Sequence, residues 1–87
     1  MLDEFLDCKV VLDLASTYVC LGRLVRYDDH FIELKNADLH DLRDTETTRE
    51  LYVEDSVATG IKRNRKRVLV RRAEVIAISL LDDVVKE

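Results

Sequence analysis

Residues 18–27 form a run rich in β-branched and aromatic side chains, yet Gly22, one of only two glycines in the chain, stands near its middle. Glycine inside a strand marks a sharp bend, a bulge or the close approach of another backbone. The pattern predicts one long strand bent at Gly22. Upstream, Val10, Leu12 and Leu14 alternate with Val11, Asp13 and Ala15, the two-residue period of a strand with one buried face. Ser16-Thr17 supplies the turn between the two. Downstream, Asp28-Asp29 closes a tight turn and residues 30–35 return as the partner strand. Connections this short exclude parallel crossovers, so these strands run antiparallel.

The rest of the chain adds two helices and two strands. Leu2, Phe5 and Leu6 have helical spacing and predict a short N-terminal helix whose apolar stripe lies on another element. Residues 36–44 are strongly acidic and read as irregular. Thr47 and Glu50 have capping-box spacing, Leu51, Val53, Val57 and Ala58 give a modest apolar stripe, and Gly60 suits the position after a helix. A helix over 46–59 is expected. A basic stretch leads into Val68-Leu69-Val70, a turn at Arg71-Arg72 or slightly beyond, and an apolar strand over 75–81; the polar residues 82–87 are expected to fray. The class is α+β, mainly β, and five short antiparallel strands with a bent second strand close naturally into a small barrel.

At 87 residues the chain suits one domain, and it buries only roughly 60–65 % of the surface its unfolded state exposes, so a partner subunit would add to a marginal core. No apolar run approaches the roughly 18 residues that span a bilayer. The N-terminus is acidic where a signal peptide is basic. A cytoplasmic protein without membrane contact is the expectation. Cys8 and Cys20 match no disulfide framework, zinc or redox spacing and read as small apolar residues.

The net charge of −4 conceals a division. Residues 1–60 hold 6 basic and 14 acidic groups, whereas residues 61–87 hold 8 basic and 4 acidic ones. Lys62, Arg63, Arg65, Lys66, Arg67, Arg71 and Arg72 fall within eleven residues with no acid among them. Such a segment attracts phosphates by releasing their condensed counterions; a solvated loop paired with acidic neighbours is the plainer reading of the same run.

Catalysis and metal binding find little support. His30 and His40, with Asp28, Asp29 and Asp41 nearby, lack the spacing of a ligand pair. No serine or threonine sits in a nucleophile elbow, and Gly22 and Gly60 alone make no phosphate-cradling loop. No catalytic residue, metal ligand or cofactor is expected. Asp28 reads as a turn acceptor, and Tyr18, Tyr27 and Tyr52 as packing residues.

The segment Gly22-Arg23-Leu24-Val25-Arg26-Tyr27-Asp28, followed by Ile32-Glu33-Leu34-Lys35-Asn36-Ala37, resembles the first motif of the Sm and LSm proteins, with the loop spacing of the bacterial Hfq branch. Val70-Arg71-Arg72-Ala73-Glu74-Val75, continued by Ile78-Ser79, is similar to the second motif. The resemblance covers residues 1–37 and 67–81. It implies one Sm-like domain over 1–87, an SH3-like barrel of five strongly bent antiparallel strands with an N-terminal helix. An insertion at about 38–66 carries a second helix between strands 3 and 4. It also implies a homo-oligomeric ring joined through edge strands 4 and 5, which would cover the exposed strand edges.

By position, the resemblance places Asp29 where Hfq has a base-contacting amide, His30 where it has a stacking aromatic, and Arg71 in the place of the second-motif arginine. Arg72 replaces the motif glycine, and the asparagine with which LSm proteins read uracil has no counterpart. Asp29, His30, Arg71 and Arg72 thus form a candidate pore pocket for single-stranded RNA. Arg71 is equally placed to bridge subunits through a carboxylate such as Glu74. For the insertion two readings stand: Lys62, Arg63, Arg65, Lys66 and Arg67 are an RNA-binding arm, or the inserted helix is a packing element or a docking site for other proteins. The corresponding functions are an RNA-binding ring and a ring-forming protein scaffold.

Overall fold

The computed structural model describes residues 1–44 and 46–86. Strands β1 (Lys9–Leu14), β2 (Tyr18–Tyr27), β3 (Phe31–Asp41), β4 (Arg65–Arg71) and β5 (Val75–Leu80) form one sheet in the order β4-β3-β2-β1-β5. Every pairing is antiparallel. One helix, α1 (Arg49–Thr59), lies between β3 and β4. Glu87, the end of the expected fraying tail, lies outside the described residues. Among the described residues no helix is long and apolar enough to cross a membrane.

The expected bend is present. The β2–β3 register slips between Leu21 and Arg23, and a Cβ on Gly22 would come within 3.1 Å of Ala37 Cα, Ala37 Cβ and the Lys35 carbonyl oxygen. Glycine is needed because the β3 backbone leans onto this point. Asn36 opposite it has φ 50°, a left-handed conformation that asparagine tolerates better than most residues. The bend wraps the sheet around Val10, Leu12, Leu24, Ile32, Leu34 and Val70.

Alternation in β1 predicted one buried face, but both are covered. Val10, Leu12 and Leu14 point into the bent sheet, while Val11, with Val19 and Leu21 of β2, forms a second cluster on the outside. Val53 of α1 and Leu81 close that cluster, with Tyr52, Ile61 and Val84 packed around it. The inserted helix is therefore a third layer on the sheet. The tail also contributes, through a 3-10 turn at Leu81–Asp83.

Four boundaries differ from expectation. The N-terminal helix is a single 3-10 turn, Leu2–Phe5, whose Phe5 packs on the inner cluster. Residues 36–44 are not irregular, since β3 continues to Asp41. Their acidity resembled a loop because Asp38 and Asp41 are buried carboxylates with partners: Tyr52 Oη and Asn64 Nδ2 donate to Asp38, and Thr17 Oγ1 and Arg43 donate to Asp41. The α1 cap is Thr48, whose Oγ1 accepts from Leu51 N at 3.2 Å, in place of Thr47. Finally, β4 begins at Arg65, so half of the basic stretch is strand.

Candidate nucleic-acid interface

Two turns meet at one end of the sheet. Between β2 and β3, Asp28 Oδ1 accepts from the backbone N–H of His30 and of Phe31, each at 2.7 Å. Those bonds, aided by the charges of His30 and Arg72, hold its carboxyl below the usual range. Asp28 is thus the turn acceptor that was expected. Between β4 and β5, a 3-10 turn (Arg72–Glu74) begins with Arg72 N donating to the His30 carbonyl at 2.9 Å. The Arg72 guanidinium donates to the Asp28 carbonyl and lies 5.9 Å from the centre of the Tyr27 ring, within cation–π range.

This places Asp29, His30, Arg71 and Arg72 at the same end, with Arg71 opposite Phe31 in the β3–β4 register. Asp29, His30 and Arg71 are exposed. Arg72 is half-buried and already engaged with the neighbouring turn.

The basic stretch divides three ways. Lys62 lines a hollow beside α1 with Thr47, Tyr52 and Asp55. Arg67 turns to Glu33 of β3, its Nε 2.9 Å from Glu33 Oε2. Arg26 grips the other oxygen of Glu33. Hydrogen bonds from Arg67 and then Arg26 hold the Glu33 carboxyl down at about 2. Arg63, Arg65 and Lys66 remain. They line a hollow of about 400 Å³ with Asn36 and Asn64. A second hollow of about 220 Å³ is lined by Lys9, Arg23, Asn36, Ile61 and Arg63. Nothing in the sequence grouped Lys9, Arg23 and Asn36 with the basic stretch, because they lie on three different strands and converge only when the sheet bends.

Asn64 fixes the connector from which these groups project. Its backbone N–H bonds to the Ala37 carbonyl at 2.8 Å. Its side chain accepts from Leu39 N and donates to Leu39 O, both at 3.0 Å. An asparagine within a basic run gave no indication of this role.

No protein-family model matches the chain, and no curated protein matches it in sequence. In three-dimensional structure the chain is similar to an Sm protein of Pyrococcus abyssii solved in complex with a uridine heptamer. It is 22 % identical, with a TM-score of 0.62 over 91 % of this chain and 90 % of that one. The fold is Sm-like. Within it, the segment resembling the first motif occupies β2 and β3, and the segment resembling the second spans the β4–β5 turn. The helix α1 of this Sm-like chain stands between them.

His40 and Cys20 serve packing. His40 stacks on Tyr52, with ring centres 4.1 Å apart and planes 11° from parallel, which ties β3 to α1. Cys20 is buried, and burial pushes its thiol up to about 12, far from a reactive thiolate. Among the described residues no group of three or more His, Cys, Asp or Glu side chains could hold a metal ion.

Proposed function

We propose that this chain is a cytoplasmic Sm-like ring subunit that binds single-stranded RNA without catalysis, at the end of the sheet where the β2–β3 and β4–β5 turns meet. The observation that carries this is the Arg72 N–H to His30 C=O bond. It locks two sequence-distant turns together and presents Asp29, His30 and Arg71 outward beside Arg72. An imidazole and guanidinium planes supply stacking surfaces, a carboxylate can accept from a base edge, and the cations suit phosphates. The complex of the Pyrococcus abyssii Sm protein with uridines supports the same ligand class. Lys62, Arg63, Arg65 and Lys66 add sequence-independent attraction, whereas Arg67 is occupied by Glu33.

Assembly by self-association is supported by the two outer strands. β4 and β5 end the sheet, each with one unpaired edge, and pairing them between copies would satisfy both.

Anisotropy titrations with labelled oligo-U and oligo-A test the reading. Binding to both is expected, with little preference, and Arg71→Glu should weaken both without lowering the melting temperature. Absence of binding to either at low salt would overturn it. A second reading, a protein-docking scaffold, is favoured by a groove of about 480 Å³ between α1, β5 and the tail, with exposed Ile76 and Val85 on its wall. Retained assembly with no RNA binding would favour it.

A further inference from the structure

The arginines of this fold have two kinds of partner. Arg26, Arg43, Arg49 and Arg67 lie on carboxylates, so their charge is compensated within the molecule. Arg23, Arg63 and Arg65 are oriented by neutral oxygens. Arg23 donates to the Asp7 carbonyl, Arg63 to Asn36 Oδ1 at 2.9 Å, and Arg65 to the Asn64 carbonyl at 3.1 Å. A neutral acceptor fixes the direction of a guanidinium and leaves its charge available.

These three line the two adjoining hollows described above. The hollows share Asn36 and Arg63, and Lys9 and Lys66 complete their walls. Among the described residues that line them are five cations and no carboxylate, on a protein whose net charge is −4. The left-handed Asn36 sits at the junction, its oxygen taken by Arg63 and its amide NH₂ a further donor.

We infer that the paired hollows lined by Lys9, Arg23, Asn36, Arg63, Arg65 and Lys66 are a binding groove for the phosphodiester backbone of RNA, separate from the turns that present Asp29, His30 and Arg71. The inference deepens the RNA-binding reading and rests on it. Two adjoining hollows with cations on both sides fit consecutive phosphates of one strand better than a single anion. Among the described residues the walls offer one apolar side chain, Ile61, which gives little purchase on a lipid surface. Among the described residues no aromatic ring lines either hollow, so the groove holds backbone and does not read bases.

The test is anisotropy with labelled oligo-U and oligo-A across a salt series, on the full chain and on Arg63→Gln/Arg65→Gln. The variant should bind both oligomers roughly tenfold more weakly at low salt. Its slope of log affinity against log salt should be shallower by about 1.4, the share of two lost phosphate contacts on a single strand. Lys9→Gln/Lys66→Gln, at two exposed positions, should act in the same direction and guards against a folding defect in the first variant. Unchanged affinity and slope in both variants, with Arg71→Glu still impaired, overturns the groove and leaves the turn site standing. No RNA binding by the wild-type chain removes both. Tripolyphosphate and phosphatidylserine vesicles serve as further probes: capture of either through Arg63 and Arg65, without an effect on RNA, assigns the groove to another anion and overturns the inference.

Discussion

Glu33 is the clearest case of a single side chain deciding local electrostatics. At 5 % exposure it would be a costly buried charge, but Arg67 and Arg26 enclose it and favour its ionised form. Its folded value of about 2 lies below the ordinary 4.5, so the unfolded chain takes up the proton first. The stabilisation is full above the ordinary value and is lost as pH falls through the folded one. Thermal melts from pH 6 to pH 2 should therefore show falling stability in acid. Glu33→Gln should flatten part of that decline, and an unaltered acid limb would show that the cluster contributes nothing. Asp41, held low by Arg43 and Thr17, acts in the same direction. Asp38, raised mainly by burial, acts in the opposite one, since its contribution is present at low pH and fades as pH rises through its folded value.

At the scale of elements, the sheet depends on close backbone approach at one position and on a side-chain clamp at another. Gly22→Val would force two methyl groups against Ala37 and the Lys35 carbonyl, at a cost of about 1–3 kcal/mol. For a chain of this size each kcal/mol lowers the melting temperature by about 4–8 °C. Calorimetry showing no change would mean that β3 yields freely at the bend. Asn64→Ala removes both side-chain bonds to Leu39 and should cost about 1–3 kcal/mol, with faster hydrogen exchange at the Leu39 amide as its local signature. The bent β2, its turn at Asp28 and a helix between β3 and β4 were legible in the sequence, because glycine placement, Asx chemistry and capping residues act locally. The full length of β3 was not, since Asp38 and Asp41 looked like loop acids until their partners on α1, the connector and the β1–β2 turn were known. The Arg23–Arg63 hollow was hidden for the same reason: it joins residues forty positions apart.

For the molecule as a whole, the outer cluster of Val11, Val19, Leu21 and Val53 shows how a short chain enlarges its core, by using both faces of the same strands. Leu21→Ala, at 0 % exposure, should cost about 2–5 kcal/mol and loosen α1, which circular dichroism would read as a lower melting temperature and a loss of helix. The charge division seen in the sequence also changes meaning in three dimensions. The basic run does not face one way; it is divided among α1, Glu33 and the open hollows, and Lys9 and Arg23 from the acidic half join the last of these. Finally, the two unpaired edges lie on opposite flanks of one sheet, so a contact between them joins unlike surfaces. Each copy then donates one edge and receives another, and the rotation per step alone decides whether the series closes or winds on as a helix. In any such series, a change in the sheet's curvature at the Gly22 bend would alter that rotation while leaving the edge-to-edge pairing itself in place.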